Sequence, residues 1–116
     1  MDTIGIIGVG LLGSAIVARL TAAGYGVLGY DIMPNRRRGA GSAQEVASKC
    51  RTIILCLPTS DVVAEVLAAM ELVPGTTIID ATTGEPEAMA AMGVKLAKAS
   101  IDYLDATVLG DRKSVV

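Results

Sequence analysis

Gly8, Gly10 and Gly13 stand in the order G-x-G-x-x-G within GIIGVGLLGSAI, residues 5–16. Glycines at that spacing line a tight turn with bare backbone, and bare N–H groups at the start of a helix bind phosphate oxygens. A carboxylate, Asp31, follows 18 residues after Gly13. A carboxylate placed there accepts hydrogen bonds from the two hydroxyls of a ribose and repels a phosphate on either of them. The chain has no histidine, which excludes histidine acid–base catalysis and the common His-containing zinc sites. Its two cysteines, Cys50 and Cys56, are too few for a disulfide framework. Cys56 lies in an apolar run and reads as a buried thiol. No residue receives a catalytic or metal-binding role.

The glycines carry meaning only in the right setting, a strand before them and a helix after them. Thr3 to Ile7 is β-branched apart from one glycine and reads as a short buried strand. From Leu11 to Ala23 the apolar period becomes helical, with Leu12, Ala15, Ile16, Leu20 and Ala23 on one face and Gly24 as terminator. Gly26 to Asp31 is a second strand, ending on the carboxylate. The stretch IMPNRRRGAGS reads as a loop, after which Ser42 caps a short helix, Ala43 to Lys49. Thr52 to Leu57 is a third apolar strand, stopped by Pro58. Ser60 is placed to cap a helix whose face carries Val62, Val63, Val66, Leu67 and Met70. Pro74-Gly75 turns the chain into a strand, Thr76 to Asp80. Pro86 opens a helix running toward Ala99, and Ile101 to Asp105 is a last strand. Apolar strands without polar alternation, separated by helices, indicate a parallel sheet covered on both faces.

In this setting each glycine has a task. Gly8 permits the turn out of the strand, Gly10 lets a pyrophosphate approach the backbone, and Gly13 lets the helix pack close to the strand. Strand, turn, helix and acid together point to a dinucleotide, with Asp31 favouring NAD over NADP. Arg36, Arg37 and Arg38 stand close enough to reach a 2′-phosphate, although a solvated loop is the simpler reading of them. Hydrophobic residues make up 52% of the 116 and the net charge is −2. That composition supports one packed domain and gives no basic face for nucleic acid. No apolar run is long enough to span a bilayer, and no basic leader precedes the first apolar run.

Four segments in order, IGIIGVGLLGSAIVARL with AGYGVLGYD, ILCLPTS, LVPGTTIIDATTGEP and IDYLDATVLG, resemble the β-hydroxyacid dehydrogenases, the family of 3-hydroxyisobutyrate dehydrogenase, tartronate semialdehyde reductase and the 6-phosphogluconate dehydrogenase relatives. The resemblance implies a Rossmann-type cofactor domain. It adds Leu57, Pro58 and Thr59 as the loop over the nicotinamide-side ribose and Thr82 as a contact near the nicotinamide. With Gly8, Val9, Gly10, Leu11, Leu12, Gly13 and Asp31 these form the expected cofactor site. The chain also departs from the family. Leu109 stands where the substrate-holding Ser is expected, Asp111 replaces a Gly, and Lys113 is not in the motif of the catalytic Lys. That Lys lies in a following helical domain which the chain lacks, and a short Arg-rich loop replaces a longer helix between Asp31 and Ser42.

The expected architecture is a single, truncated Rossmann-type α/β domain over residues 1–110, with helices on both faces of a parallel sheet. Residues 111–116, DRKSVV, coincide with one reading frame of a widely used sequencing adapter and are expected to be a non-native tail. The implied parent is an NAD(P)-dependent 3-hydroxy acid dehydrogenase of the cytosol, whose small hydroxy acid substrate binds only in the full-length enzyme. The chain alone is expected to bind the dinucleotide, to associate with itself through surface left for a second domain, and not to turn over. A non-catalytic nucleotide-binding module or an inert gene fragment is the other reading.

Overall fold

A computed structural model describes residues 3–106. The positions Leu109, Gly110, Asp111 and Lys113, and the tail 111–116, lie outside them. Five strands, β1 (Thr3–Ile7), β2 (Gly26–Tyr30), β3 (Thr52–Leu55), β4 (Thr77–Asp80) and β5 (Asp102–Asp105), alternate with four helices, α1 (Leu11–Ala22), α2 (Ala43–Lys49), α3 (Ser60–Ala68) and α4 (Pro86–Ala97). All strand pairs are parallel, in the order β2-β1-β3-β4-β5. None of the described helices is long and apolar enough to cross a membrane.

Consecutive β1 residues show why helices cover both faces. A Cβ on Gly5 would press into Val46 and Cys50 of the α2 region, while Ile6 reaches toward Gly13 of α1. Neighbouring strand residues point to opposite sides, so α1 and α2 lie on opposite faces. The core gathers Ile7, Ile53, Leu55 and Ile78 from the strands with Val46, Val63 and Leu67 from the helices, all buried. The chain runs from β1 outward to β2, then returns to place β3 on the other side of β1. Ligands of open parallel sheets bind at such a reversal, in the crevice beyond the strands' C-terminal ends.

Several boundaries differ from the sequence reading. Strand β3 ends at Leu55, because Pro58 has no N–H and the Leu57 N–H turns to the Thr82 hydroxyl; Cys56 still donates to the Ile7 carbonyl at 2.9 Å. Thr59 caps α3, not Ser60: its extended backbone lets Oγ1 accept from the Val62 N–H at 3.2 Å. Helix α4 stops at Ala97, before Ala99, and Ser100 takes a left-handed φ of 64°. None of the expected apolar face of α1 is buried, Leu12 being 36% exposed, and the buried residue of this helix is Gly13. This helix lies against β1 and the edge strand β2, so part of its apolar surface overhangs the sheet.

Candidate functional site

The turn after β1 is shaped from within. Gly8 has φ 98°, a left-handed conformation, and a side chain there would run into the Cys56 carbonyl where β1 and β3 end side by side. A side chain on Gly13 would strike the Gly8 carbonyl. The fold itself therefore demands these two glycines. Gly10 differs: its φ of −82° is not left-handed, and a Cβ there would meet nothing within 4 Å. Val9 between them is buried, and its N–H donates to Asp31 Oδ2 at 2.7 Å.

Asp31 is 8% exposed, one residue past β2. Its other oxygen, Oδ1, accepts from the Met33 N–H at 2.8 Å. The carboxylate thus braces the glycine turn against the β2 end while retaining acceptor capacity, since an ionised carboxylate offers about four lone-pair sites. At the start of α1, Gly10 is the N-cap, no side chain caps the helix, and its first turn holds no acidic residue. The first-turn N–H groups, those of Leu11, Leu12 and Gly13, have no intrahelical partners, and the positive end of the helix dipole lies with them. Leu11 itself is 96% exposed.

The arginine segment is more ordered than a solvated loop. It contains a 3₁₀ turn, Pro34–Arg36, and then pairs with the outer edge of β2. Gly29 donates to the Arg38 carbonyl at 2.8 Å, and Arg38 donates back to the Gly29 carbonyl at 2.9 Å. These bonds satisfy an otherwise open sheet edge, which explains the order. Arg37 turns back, its Nε donating to the Asp31 carbonyl at 2.8 Å and its guanidinium lying 4.8 Å from the centre of the Tyr30 ring. Asn35, Arg36 and Arg38 remain, and with Val9, Gly10, Leu11 and Ser14 they line a cleft of about 260 Å³.

A second cleft, about 430 Å³, opens beyond β3 and β4 between Thr59, Ser60, Asp61, Thr83, Gly84 and Glu85. Its two walls are tied together. The Leu57 N–H donates to Thr82 Oγ1 at 3.0 Å, and the Glu85 N–H donates to Ser60 Oγ at 2.8 Å. Thr82 is 2% exposed, so its hydroxyl joins the loops from beneath, whereas Pro58 and Thr59 stand exposed at the rim. Behind Thr82 lies buried Asp80. Its Oδ1 accepts from the Thr82 N–H at 2.9 Å and its Oδ2 from the Tyr103 hydroxyl at 2.5 Å. Burial, then the bond to Asp80, hold the Tyr103 phenol proton on well above its ordinary range. Burial, with Asp80 second, pushes the Cys56 thiol up to about 11. Sequence reading missed both Tyr103 and the Ser60–Glu85 tie, whose partners lie 23 and 25 residues apart with no local pattern joining them. Among the described residues no group of three or more Cys, Asp or Glu side chains could hold a metal ion.

A glycine turn at the reversal point, an open helix N-terminus and an acid at the β2 end define a nicotinamide-dinucleotide-binding α/β domain of Rossmann type. The chain belongs to the family described as the NAD binding domain of 6-phosphogluconate dehydrogenase, whose model matches residues 3–115. It is 29% identical to the mitochondrial 3-hydroxyisobutyrate dehydrogenase of Mus musculus, over 92% of this chain and 36% of that one. It is 30% identical to 2-(hydroxymethyl)glutarate dehydrogenase of Eubacterium barkeri, over 95% of this chain and 41% of that one. The structure of Mycobacterium tuberculosis 3-hydroxyisobutyrate dehydrogenase with L-serine superposes with a TM-score of 0.88 at 28% identity, covering 95% of this chain and 41% of that one. An imine reductase from Myxococcus stipitatus in complex with NAD+ shares the fold, with a TM-score of 0.82 at 20% identity. The chain spans 36–41% of the length of these two dehydrogenase relatives.

Proposed function

We propose that the chain binds NAD across the C-terminal edge of its sheet, as the cofactor domain of an enzyme that oxidises or reduces a small 3-hydroxy acid. Gly10 carries the reading. Neither a left-handed φ nor packing requires glycine there, so the open space beside its backbone suits something outside the chain. A pyrophosphate fits it, with the first-turn N–H groups of Leu11, Leu12 and Gly13 as donors. Gly8 and Val9 shape the turn. Asp31 faces the adenosine ribose, while Leu57, Pro58, Thr59 and the bracing Thr82 form the side toward the nicotinamide. The bound dinucleotide supplies the hydride chemistry; the chain binds and orients it. The two dehydrogenase relatives support a hydroxy acid as substrate of a full-length parent. Both thiols are unpaired, in keeping with the cytosol.

Preference for NAD rests on Asp31, whose charge opposes a 2′-phosphate. A second reading, NADP, is favoured by Arg36 and Arg38 in the cleft beside Gly10. Calorimetry with both dinucleotides separates them. The expected result is tighter binding of NAD, weakened at least about tenfold in Gly10→Val, with little change in melting temperature. Tighter NADP binding that Asp31→Ala leaves unchanged would transfer specificity to the arginines. Unchanged affinity in Gly10→Val would place the ligand elsewhere.

A further inference from the structure

Three hydrogen bonds run in series across the nicotinamide-side loops. Tyr103 on β5 donates to Asp80 at the end of β4, Asp80 accepts the Thr82 N–H, and the Thr82 hydroxyl accepts the Leu57 N–H beyond β3. The middle members are sealed off, Asp80 at 1% and Thr82 at 2% exposure. A buried carboxylate that accepts two hydrogen bonds is fixed in orientation, because leaving either acceptor empty is costly. We infer that Tyr103 and Asp80 are positioning residues for dinucleotide binding, setting through Thr82 the height of the Leu57–Thr59 loop over the nicotinamide half of the cofactor. This rests on the binding reading above. None of the three bonds touches the adenosine side, where the glycine turn is braced separately by Asp31. The two halves of the site thus have separate supports, and the supports can be broken one at a time.

That separation is the test. NAD engages both halves, and ADP only the adenosine half. Binding of each to the full chain is measured by calorimetry for wild type, Tyr103→Phe, Thr82→Val and Thr82→Ser. Tyr103→Phe removes one hydroxyl and keeps the ring that packs against the core. Thr82→Val removes the acceptor for Leu57, and Thr82→Ser restores it. The expected result is NAD affinity lowered about five- to tenfold by Tyr103→Phe and Thr82→Val, ADP affinity unchanged within twofold, and recovery of NAD affinity in Thr82→Ser. Equal loss for NAD and ADP would mean general loosening of the fold and would overturn the inference, as would no loss for either. If Tyr103→Phe fails to fold, Asp80→Asn, which keeps the shape of the side chain but alters the bond to Tyr103, decides by the same split. A wild-type chain that binds ADP but not NAD overturns the inference alone. One that binds neither overturns the binding reading, and the inference with it.

Discussion

A methyl group added at Gly8 and one added at Gly10 meet opposite surroundings only two residues apart. At Gly8 it must occupy a left-handed backbone and collide with the Cys56 carbonyl. Gly8→Ala is therefore expected to cost about 3 kcal/mol of stability, read as a lower urea midpoint. Gly10→Ala should leave the midpoint within about 0.5 kcal/mol of wild type, since its Cβ meets no atom. A large loss in Gly10→Ala would show that the fold needs this glycine and would remove the main support for a ligand there. The glycine spacing and Asp31 were legible in the sequence because strand, turn, helix and acid are set by local patterns. The use the fold makes of Asp31 was not. Bonds to Val9 and Met33 depend on where the β1 and β2 ends meet, which no local pattern states.

Helix ends show what short-range chemistry does and does not decide. Ser42 accepts from the Glu45 N–H at 3.1 Å, as its place before an apolar helix suggests. Glu45 Oε1 in turn accepts from the Gly41 N–H, and this bond, ahead of the ion pair with Lys49, holds its carboxyl below the ordinary value. Gly24 ends α1 as expected, with φ 94° and the Tyr25 N–H reaching back to the Leu20 carbonyl. The ending of α4 has the same geometry without the glycine. There Ile101 donates to the Leu96 carbonyl at 3.0 Å around Ser100, whose φ is 64°. The lack of that signal explains why the helix reads as running on to Ala99. A side chain in the left-handed region is unfavourable, so Ser100→Gly is expected to raise stability by about 0.5–1 kcal/mol, measured by urea denaturation. A decrease would mean that the added freedom of the unfolded chain outweighs the relief.

At the scale of the whole molecule the parallel sheet was legible from its apolar strands and intervening helices, whereas the joining of β4 to β5 through a buried acid was not. The enclosure around that acid gives the fold a pH signature. Asp80 lies near Cys56 and bonds to Tyr103, and both groups hold their protons longer folded than unfolded, chiefly through burial. Cys50 shifts the same way, by burial. A group whose folded value is raised contributes stability that is complete below its unfolded value and is lost as pH rises through the folded one. For Cys56 the window runs from the ordinary 9.0 to about 11. Tyr103 adds a loss that begins near its ordinary 10.0 and continues upward. The urea midpoint should thus hold steady up to about pH 9 and fall from there to pH 11, because the unfolded chain releases protons that the folded one keeps. Replacing the thiol in Cys56→Ala should make the decline between pH 9 and 11 shallower, while Tyr103→Phe should act on its upper end. A midpoint that stays level through pH 11 in the wild type would show that neither proton is held by folding, and that the enclosure around Asp80 is looser than its hydrogen bonds imply.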